Sequence, residues 1–307
     1  MNPKWYILWG IVVIAALALG VTIRLPDQPA SREVLSAQQY PEPAPFPVRR
    51  PGTLDPAIRA KYVILLDADS FYPLYRKEAY QEVPVASTTK MMTALVVLDR
   101  YRPDEEVTVS RQATQQIGST TGLLPGERIT VDSLLRALLI QSGNDAAYAL
   151  AEHGGSVEQF VSWMNDKAKE VGMHASSFKD PAGLDDGGRS TAFELAVLGS
   201  LLMRQPKVRE ITATSEMTIT SVDGKQTHLL KNSNRLVTPE LYFPGATGIK
   251  TGFTPAAGHT LVAAAEREGR LLIGVILFTY EDTKDASARE SARLLNWGFA
   301  SYLWTSP

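Results

Sequence analysis

The sequence contains no cysteine, and this absence removes several kinds of chemistry at once. Without thiols the chain has no disulfides, thiolate nucleophiles, iron–sulfur clusters, cysteine zinc sites or lipid-modified N-terminal cysteine. Histidines are also scarce: there are four, and no two of them stand at the spacing of metal ligands. We therefore expect no metal and no other cofactor.

The chain also has no large excess of either positive or negative charge. The 31 basic and 33 acidic residues leave a formal net charge of −2. No basic stripe is present, so nucleic acid is not an expected partner. The glycine-rich motifs GxGxxG and GxxxxGKS/T are absent too, which argues against nucleotide binding. The hydrophobic content of 44% is enough for one sizeable core.

An uncharged apolar run of 19 residues lies near the N-terminus, from Trp5 to Ile23. At about 1.5 Å per residue in a helix, it is long enough to cross a bilayer core of about 30 Å. We interpret residues 1–24 as an uncleaved membrane anchor, because the apolar part of a signal peptide is usually shorter, about 7–15 residues. A signal peptide is the alternative, since Ala18 and Gly20 have the small side chains of a cleavage site.

Eight prolines follow between residues 26 and 56. Proline fixes its own φ angle and lacks an amide donor, so this segment favours extended polyproline II over helix or sheet. We predict a linker at residues 25–57, which at about 3.1 Å per residue reaches up to roughly 100 Å. The globular domain is then residues 58–307. We expect it to be extracytoplasmic, in the periplasm or at the outer face of the cell membrane, and held there through residues 5–23.

The globular part combines strand and helix patterns. Strands are predicted at residues 61–77 and 216–278, with a block of helices between them at residues 87–204 and a final helix at residues 283–302. The simplest packing is an antiparallel sheet with helices on its faces and a helical lobe at its side, an α/β (α+β) fold. A cleft where the sheet meets the lobe would draw residues from both parts.

A serine and a lysine stand one helical turn apart where the first helix begins, in the stretch VPVASTTKMM. Positions i and i+3 share a helix face, so Lys90 can reach the Ser87 hydroxyl. An uncharged Lys90 would be the general base for a Ser87 nucleophile, which requires lowering a lysine pKa near 10.4 to about 7–8. On its own, this short motif is more often an N-cap serine beside a surface lysine.

The triplet Ser142-Gly143-Asn144 follows one buried helix and precedes another. We expect Gly143 to take an unusual backbone angle at this corner and so to turn Ser142 and Asn144 into the cleft. The hydroxyl can relay a proton, and the amide can both donate and accept hydrogen bonds. Taken alone, the triplet is more simply a helix C-cap followed by an N-cap.

The third motif, Lys250-Thr251-Gly252, lies within a strand pattern. Lys250 would be the nearby cation that keeps Lys90 uncharged, and it would attract an anionic substrate. Thr251 can donate to a carboxylate, and Gly252 leaves room for another backbone. The alternative is an edge strand whose lysine prevents it from pairing with another chain.

In this order the three motifs resemble those of penicillin-binding proteins and class A β-lactamases. The chain is most similar to the low-molecular-mass penicillin-binding proteins that act as serine D-alanyl-D-alanine carboxypeptidases. The resemblance covers about residues 60–303, including residues 178–198 and 248–265, although Asp180 stands where the family usually has asparagine. It implies the β-lactamase/penicillin-binding-protein-like fold, an antiparallel sheet flanked by helices with a helical lobe.

The resemblance also implies a role for each motif residue. Ser87 would attack the carbonyl between two D-alanines of a peptidoglycan stem peptide, or the ring of a β-lactam, and Lys90 would take its proton, with Ser142 as a relay. The backbone amides of Ser87 and Phe253 would form the oxyanion hole. Asn144 would bind the peptide amide, and Gly252 would lie in the strand beside the substrate. The terminal carboxylate would be bound by Lys250, Thr251 and Arg235.

Two departures from the family pattern bear on these expectations. Many relatives carry a small β-rich domain and an amphipathic C-terminal helix, which this chain does not have after residue 303, and we take this as support for an N-terminal anchor. His259 stands where relatives tend to have other residues, and we interpret it as a structural residue of its strand, with lining of the cleft as the alternative.

Three alternatives to a carboxypeptidase are considered. A D,D-endopeptidase that cuts peptidoglycan cross-links would use the same residues. A class A β-lactamase needs a glutamate after the second motif, and residues 177–186 contain none. An inactive wall-binding scaffold is disfavoured because Ser87, Lys90 and Lys250 are all intact.

Overall fold

The middle of the folded unit is an antiparallel sheet whose strands come from both ends of the described chain. The computed structural model describes residues 46–305. Its strands are β1 (Phe46–Arg49), β2 (Ala60–Asp67), β3 (Pro73–Lys77), β4 (Glu106–Thr108), β5 (Arg128–Thr130), β6 (Glu216–Thr220), β7 (Thr227–Lys231), β8 (Ala246–Thr254), β9 (Gly258–Arg267), β10 (Arg270–Thr279) and β11 (Tyr302–Thr305). The main sheet has the order β3–β2–β10–β9–β8, so the predicted antiparallel sheet is confirmed.

Helices cover both faces of this sheet and form a lobe beside it. They are α1 (Lys90–Arg100), α2 (Arg111–Thr114), α3 (Val131–Arg136), α4 (Asn144–His153), α5 (Val157–Glu170), α6 (Ala192–Met203), α7 (Pro206–Ala213) and α8 (Ala286–Ser301), with 3-10 turns at Ala86–Thr89 and Arg235–Val237 and a π-helical turn at Ala137–Gln141. The helices expected from periodicity are present. The short elements α2, α7, β4 and β5 were not predicted, because three to eight residues give too little periodicity to detect.

The strand β2 explains why the central strands are apolar on both faces. Ile64 and Leu66 pack into one hydrophobic cluster, which includes residues of α6, while Val63 and Leu65 pack into a second cluster, which includes residues of α8. Alternate residues of a strand point to opposite faces, so a strand buried on both sides has a continuous apolar run. The two layers of helices hold the sheet rigidly, and its edge strand β8 borders the site described below.

The folded unit begins earlier along the chain than the expected boundary at residue 58. β1 falls within the segment expected to be a linker, yet it pairs antiparallel with β11. Proline is tolerated in an edge strand, so Pro47 is compatible with this pairing. The expected anchor at residues 1–24 and the linker up to residue 45 lie outside the described residues. Between residues 46 and 305, no helix has the length and apolar character needed to span a bilayer.

Gly298 marks a close approach of α8 to the sheet. A Cβ atom there would collide with Leu65 Cδ2 and lie 3.0 Å from Leu272 Cδ1. We expect Gly298→Ala to destabilise the protein by about 1–2 kcal/mol in urea unfolding, because overpacking costs about 1–3 kcal/mol and helix propensity returns up to about 1 kcal/mol. Ala300→Gly, at an exposed position of α8, is the control for propensity alone. A Gly298→Ala protein more stable than wild type would contradict this packing.

Candidate active site

Ser87 lies in the 3-10 turn that leads into α1. The preceding residue, Ala86, has a φ of 49°, a left-handed conformation that is uncommon for a residue with a side chain. Gly183 packs against this bend, and a Cβ at Gly183 would collide with the Ala86 carbonyl oxygen. The strained turn leaves Ser87 partly exposed, while Thr88 and Thr89 beside it are buried.

Lys90 is completely buried next to Ser87. Its Nζ lies 2.9 Å from Ser87 Oγ, 2.6 Å from Asn144 Oδ1 and 2.8 Å from the Ala182 carbonyl oxygen. Burial lowers the pKa of Lys90 from its ordinary value of 10.5 to about 7, although the carboxylates of Asp180 and Asp145 act in the opposite direction. Near neutral pH a large fraction of Lys90 is therefore uncharged.

The amide of Asn144 is oriented by a second hydrogen bond. Its Nδ2 donates to the Ile117 carbonyl oxygen at 2.5 Å, so Oδ1 is the atom that faces Lys90. An uncharged amine has two N–H groups and one lone pair. Asn144 Oδ1 and the Ala182 oxygen can only accept, so they take both N–H groups and leave the lone pair for the Ser87 hydroxyl. A general base needs this arrangement.

The corner at residues 142–144 brings Ser142 and Asn144 to the cleft, but not through the predicted backbone. Ser142 itself has the left-handed conformation, with a φ of 65°. The prediction for Gly143 is wrong, since its φ is −58°; a glycine is needed there because a Cβ would collide with Thr121 Oγ1. Ser142 lines the cleft, but in the described part of the chain its hydroxyl is not among the hydrogen-bond partners of Lys90.

Gly252 allows β8 to run directly past the serine turn. A Cβ atom at this position would lie 2.9 Å from the Ser87 amide nitrogen, 3.1 Å from Ala86 Cβ and 2.7 Å from Thr260 Oγ1. These contacts are shorter than almost any side chain tolerates, and one of them is to backbone. The glycine therefore sets the distance between Ser87 and the edge of the sheet.

Lys250, two residues earlier on β8, is also completely buried. Its Nζ donates to the Thr251 carbonyl oxygen at 3.0 Å. Burial lowers the pKa of Lys250 well below its ordinary value, and repulsion from Lys90 lowers it further. Repulsion between the two lysines disfavours the state in which both are charged, while burial is the main cause of the lowered pKa of Lys90.

The three motifs border one cleft of about 770 Å³ between the sheet and the helical lobe. Thr251 Oγ1 donates to Ser233 Oγ at 2.7 Å, and Ser233 is a lining residue that sequence reasoning missed. The expected site residues that line the cleft are Ser87, Ser142, Asn144, Arg235, Thr251, Gly252 and Phe253. Lys90 and Lys250 are the two that lie buried behind its surface.

Comparison with known proteins assigns this arrangement to a family. The model of peptidase family S11, D-alanyl-D-alanine carboxypeptidase, matches residues 50–280, a range that contains all three motifs. The chain belongs to this family. The resemblance inferred from the sequence motifs is thereby confirmed.

Curated members of the S11 family show how much of the chain is shared. D-alanyl-D-alanine carboxypeptidase DacB2 of Mycobacterium tuberculosis is 37% identical over 243 residues, which cover 77% of this chain and 81% of the relative. DacF of Bacillus subtilis is 34% identical over 257 residues, covering 81% of this chain and 64% of the relative. This chain thus matches somewhat less than two-thirds of the length of the Bacillus relative.

Solved structures of relatives have the same S11 fold. The crystal structure of the Streptomyces K15 DD-transpeptidase is matched with a TM-score of 0.76 and 32% identity, over 81% of this chain and 100% of that one. The D-alanyl-D-alanine carboxypeptidase of Mycobacterium tuberculosis H37Rv is matched with a TM-score of 0.75 and 34% identity, over 84% of this chain and 99% of that one. The penicillin-binding-protein-like fold is confirmed.

Asp180, which replaces the usual asparagine of this family, organises the loop that reaches Lys90. Its Oδ1 accepts the amides of Ala182 and Gly183, both at 2.7 Å, and its Oδ2 accepts the amide of Asp185 at 2.8 Å. The turn so formed presents the Ala182 carbonyl oxygen to Lys90. Sequence reasoning noted the replacement but gave Asp180 no role; the signal was an aspartate opening a turn rich in proline and glycine.

Asp145 organises the loop at the opposite wall of the cleft. Its buried carboxylate accepts the amides of Thr121, Gly122 and Leu123 at 2.9–3.2 Å. The loop held in this way ends next to Ser119, which lines the cleft. Sequence reasoning missed this residue, because an aspartate in the first turn of a helix is common for capping reasons alone.

His259 lies at the cleft as well as in a strand. Its ring stacks on Phe253 with the centroids 4.4 Å apart, and its Nε2 lies 3.1 Å from Asp282 Oδ1. Phe253 is 51% exposed, so the stack forms one wall of the cleft mouth. His259 is a residue of strand β9, as expected, and it also lines the cleft, because β9 is the neighbour of β8 and pairs His259 with Phe253.

Proposed function

We propose that the chain is a serine D,D-carboxypeptidase, which removes the terminal D-alanine from peptidoglycan stem peptides through an acyl-enzyme on Ser87. The proposal rests chiefly on Lys90 Nζ, which lies 2.9 Å from Ser87 Oγ while two acceptors occupy its N–H groups. The names of the family and of its curated members support the same activity.

Acylation would begin with attack of Ser87 Oγ on the carbonyl carbon between the two D-alanines, as Lys90 takes the hydroxyl proton. The amides of Ser87 and Phe253 would stabilise the resulting oxyanion, and one such donor is worth about 10²–10³ in rate. Collapse of the intermediate breaks the C–N bond. The leaving amine of D-alanine takes the proton from Lys90, with Ser142 placed in the cleft as a relay.

Substrate would bind along β8, because β8 is an edge of the main sheet and can pair with an extended peptide. Arg235 and Thr251 line the cleft and can donate to the terminal carboxylate. Asn144 uses one N–H of its amide on Ile117, which leaves the other for the peptide carbonyl. Lys250 is buried behind Thr251, and it would act by disfavouring the state in which both lysines are charged.

β-Lactams would acylate Ser87 in the same way as the peptide. Hydrolysis of that acyl-enzyme in a class A β-lactamase depends on a glutamate, and among the described residues that line this cleft the acidic one is Asp282. We therefore propose slow release of bound penicillin. Rapid steady-state hydrolysis would favour a β-lactamase instead.

Transpeptidation is a second candidate, because the solved relative from Streptomyces K15 is named a DD-transpeptidase. The acyl-enzyme would be the same, and an amine instead of water would take the acyl group. A D,D-endopeptidase would likewise differ only in the leaving group, a cross-linked peptide in place of D-alanine. Product analysis with and without an added amine separates these activities.

The location follows from the substrate. We propose that the domain works outside the cytoplasm, where peptidoglycan lies, and that residues 5–23 anchor it to the membrane. Mass spectrometry of the mature N-terminus tests the anchor. A mature chain starting at residue 21 would contradict it.

The direct test incubates a fragment of residues 46–307 with a peptide that ends in D-Ala-D-Ala and measures free D-alanine. A labelled penicillin, followed by digestion and mass spectrometry, identifies the acylated residue. We expect release of D-alanine and a label on the peptide that contains Ser87, with neither in Ser87→Ala. Label without release would indicate a cross-linked or larger substrate, and no label on Ser87 would contradict the proposal.

Asp180→Asn should move the acid limb of the pH profile. The Asp180 carboxylate raises the pKa of Lys90, so its removal lowers that pKa below about 7. A base is active when deprotonated, and the limb of kcat/KM should therefore shift to lower pH, by about one pH unit at most. Asp145→Asn, which also removes a charge that raises the pKa of Lys90, should shift it in the same direction. A shift to higher pH in both variants would contradict Lys90 as the base.

A further inference from the structure

A second cleft, of about 660 Å³, lies where the β9–β10 turn meets the ends of α8 and β11. Its lining contains Arg50, Arg267 and Arg270 and a single acidic residue, Glu268. Within residues 46–305 none of these four side chains belongs to an ion pair. The second cleft is therefore a local concentration of positive charge on a chain whose net charge is −2.

Arg267 is held in place by its surroundings. Its guanidinium carbon lies 4.6 Å from the ring centre of Phe243 and 4.8 Å from that of Phe299. One of its nitrogens donates to Asn296 Oδ1 at 3.0 Å. A guanidinium fixed between two rings loses little freedom when it binds an anion, and its flat fork suits phosphate.

The β1–β11 ribbon beside this cleft has an apolar outer face. Phe46, Val48 and Leu303 share that face, because Val48 pairs with Leu303 and alternate residues of a strand point the same way. Their exposed fractions are 52%, 48% and 46%. Leu303 also lines the second cleft, so the apolar face and the second cleft adjoin.

The ribbon lies at the edge of the main sheet farther from the active site. Phe46 stacks against Tyr72 at 4.8 Å, and Tyr302 Oη donates to the Leu74 carbonyl oxygen on β3 at 2.7 Å. β3 and β8 are the two edges of a five-stranded sheet. At about 4.8 Å per strand, roughly 19 Å separate them, so a partner on the ribbon leaves the active-site cleft free.

We propose that the second cleft and the outer face of the ribbon form a docking surface for an anionic phospholipid membrane. The arginines would contact lipid phosphates, and Phe46, Val48 and Leu303 would enter the interfacial region. A membrane fits both halves of the surface, because it offers negative charge directly beside apolar chains. The docking surface would turn the active-site cleft away from the bilayer, towards the cell wall.

The chain itself places a membrane near this surface. β1 is the first described element, and the apolar run at residues 5–23 precedes it with residues 24–45 between them. If the run spans the bilayer, strand β1 of the ribbon is the part of the folded unit closest to it along the chain. Docking would give the folded unit a defined orientation at the membrane.

Vesicle co-sedimentation of residues 46–307 tests the docking surface without the apolar run. Both hydrophobic clusters lie within the described residues, and the Streptomyces relative is matched over its full length by 81% of this chain, so we expect the fragment to fold by itself. We expect binding to vesicles containing phosphatidylglycerol, weakened by salt, and little binding to phosphatidylcholine alone. The readout does not use catalysis, so it stands apart from the proposed activity.

Two variants and a matched control decide the outcome. Arg50→Glu with Arg270→Glu should lower the partition coefficient at least about tenfold, since each cation near an anionic surface contributes roughly fivefold. Leu303→Ser should lower it several-fold. The control, Arg102→Glu with Lys225→Glu, makes the same charge change at side chains that are 76% and 77% exposed elsewhere. Equal loss in the control, or no binding of the wild-type fragment, would overturn the proposal.

Discussion

Replacing Lys90 with methionine will lower the rate of penicillin acylation of Ser87 by about 10²–10⁴, the usual contribution of a general base. Methionine fills similar volume but cannot accept the hydroxyl proton. It also leaves Asn144 Oδ1 and the Ala182 carbonyl oxygen without their N–H donors. Stopped-flow measurement with a fluorescent penicillin gives the second-order rate constant.

The pH dependence of this loss separates a base from a merely structural residue. With the Lys90 pKa at about 7, wild-type acylation should rise as the pH passes from 6 to 8, because deprotonation creates the active amine. In Lys90→Met that limb should disappear. The variant should show a low and nearly flat rate across the same range.

Lys90→Arg is the matched control for charge. Arginine can donate to Asn144 and Ala182, but it keeps its proton at any pH used and so cannot act as a base. We expect Lys90→Arg to be as slow as Lys90→Met, while a thermal melt reports whether each variant is folded. Either variant retaining more than a tenth of the wild-type rate would contradict the role of Lys90.

The motif residues were predictable because each side chain needs only its own short motif and a compatible backbone. Ser87 and Lys90 meet through helix spacing alone, which the sequence contains. The orientation of Asn144 depends instead on Ile117, 27 positions away, and no local pattern indicates that contact. The contact between Ser87 and Lys90 was therefore predictable, and the contacts that direct the lone pair of Lys90 were not.

The remaining differences arise from tertiary contacts that override local preference. Gly143 was expected to take an unusual backbone angle, but Ser142 has the left-handed conformation, and a glycine is needed at 143 because Thr121 fills the space beside it. β1 was assigned to a proline-rich linker, since its pairing partner β11 lies more than 250 residues later in the chain. For His259 the sequence left open whether the ring lines the cleft, because its contact with Phe253 depends on the register of β8 and β9.

Gly252→Ala will lower acylation of Ser87 by about 10²–10³ while leaving the protein folded. The added Cβ would meet the Ser87 amide nitrogen at 2.9 Å, and that nitrogen belongs to backbone that has little room to move. β8 must shift away from the serine turn, which separates the amides of Ser87 and Phe253 that would share the oxyanion. Loss of one such donor costs about 10²–10³, and a displacement of about 1 Å has an effect of similar size.

The matched control for this substitution is Gly188→Ala, where a Cβ would have no neighbour closer than 3.3 Å. We expect the control to acylate within about twofold of wild type, since 3.3 Å requires only a small adjustment of its neighbours. The same stopped-flow assay serves both variants, and urea unfolding shows that each is folded. The oxyanion is present only in the transition state, so contacts to it stabilise that state and not the bound penicillin. Gly252→Ala should therefore lower the maximal acylation rate more than it lowers the affinity for penicillin. A Gly252→Ala protein that acylates at the wild-type rate would show that the spacing between β8 and Ser87 does not limit the chemistry.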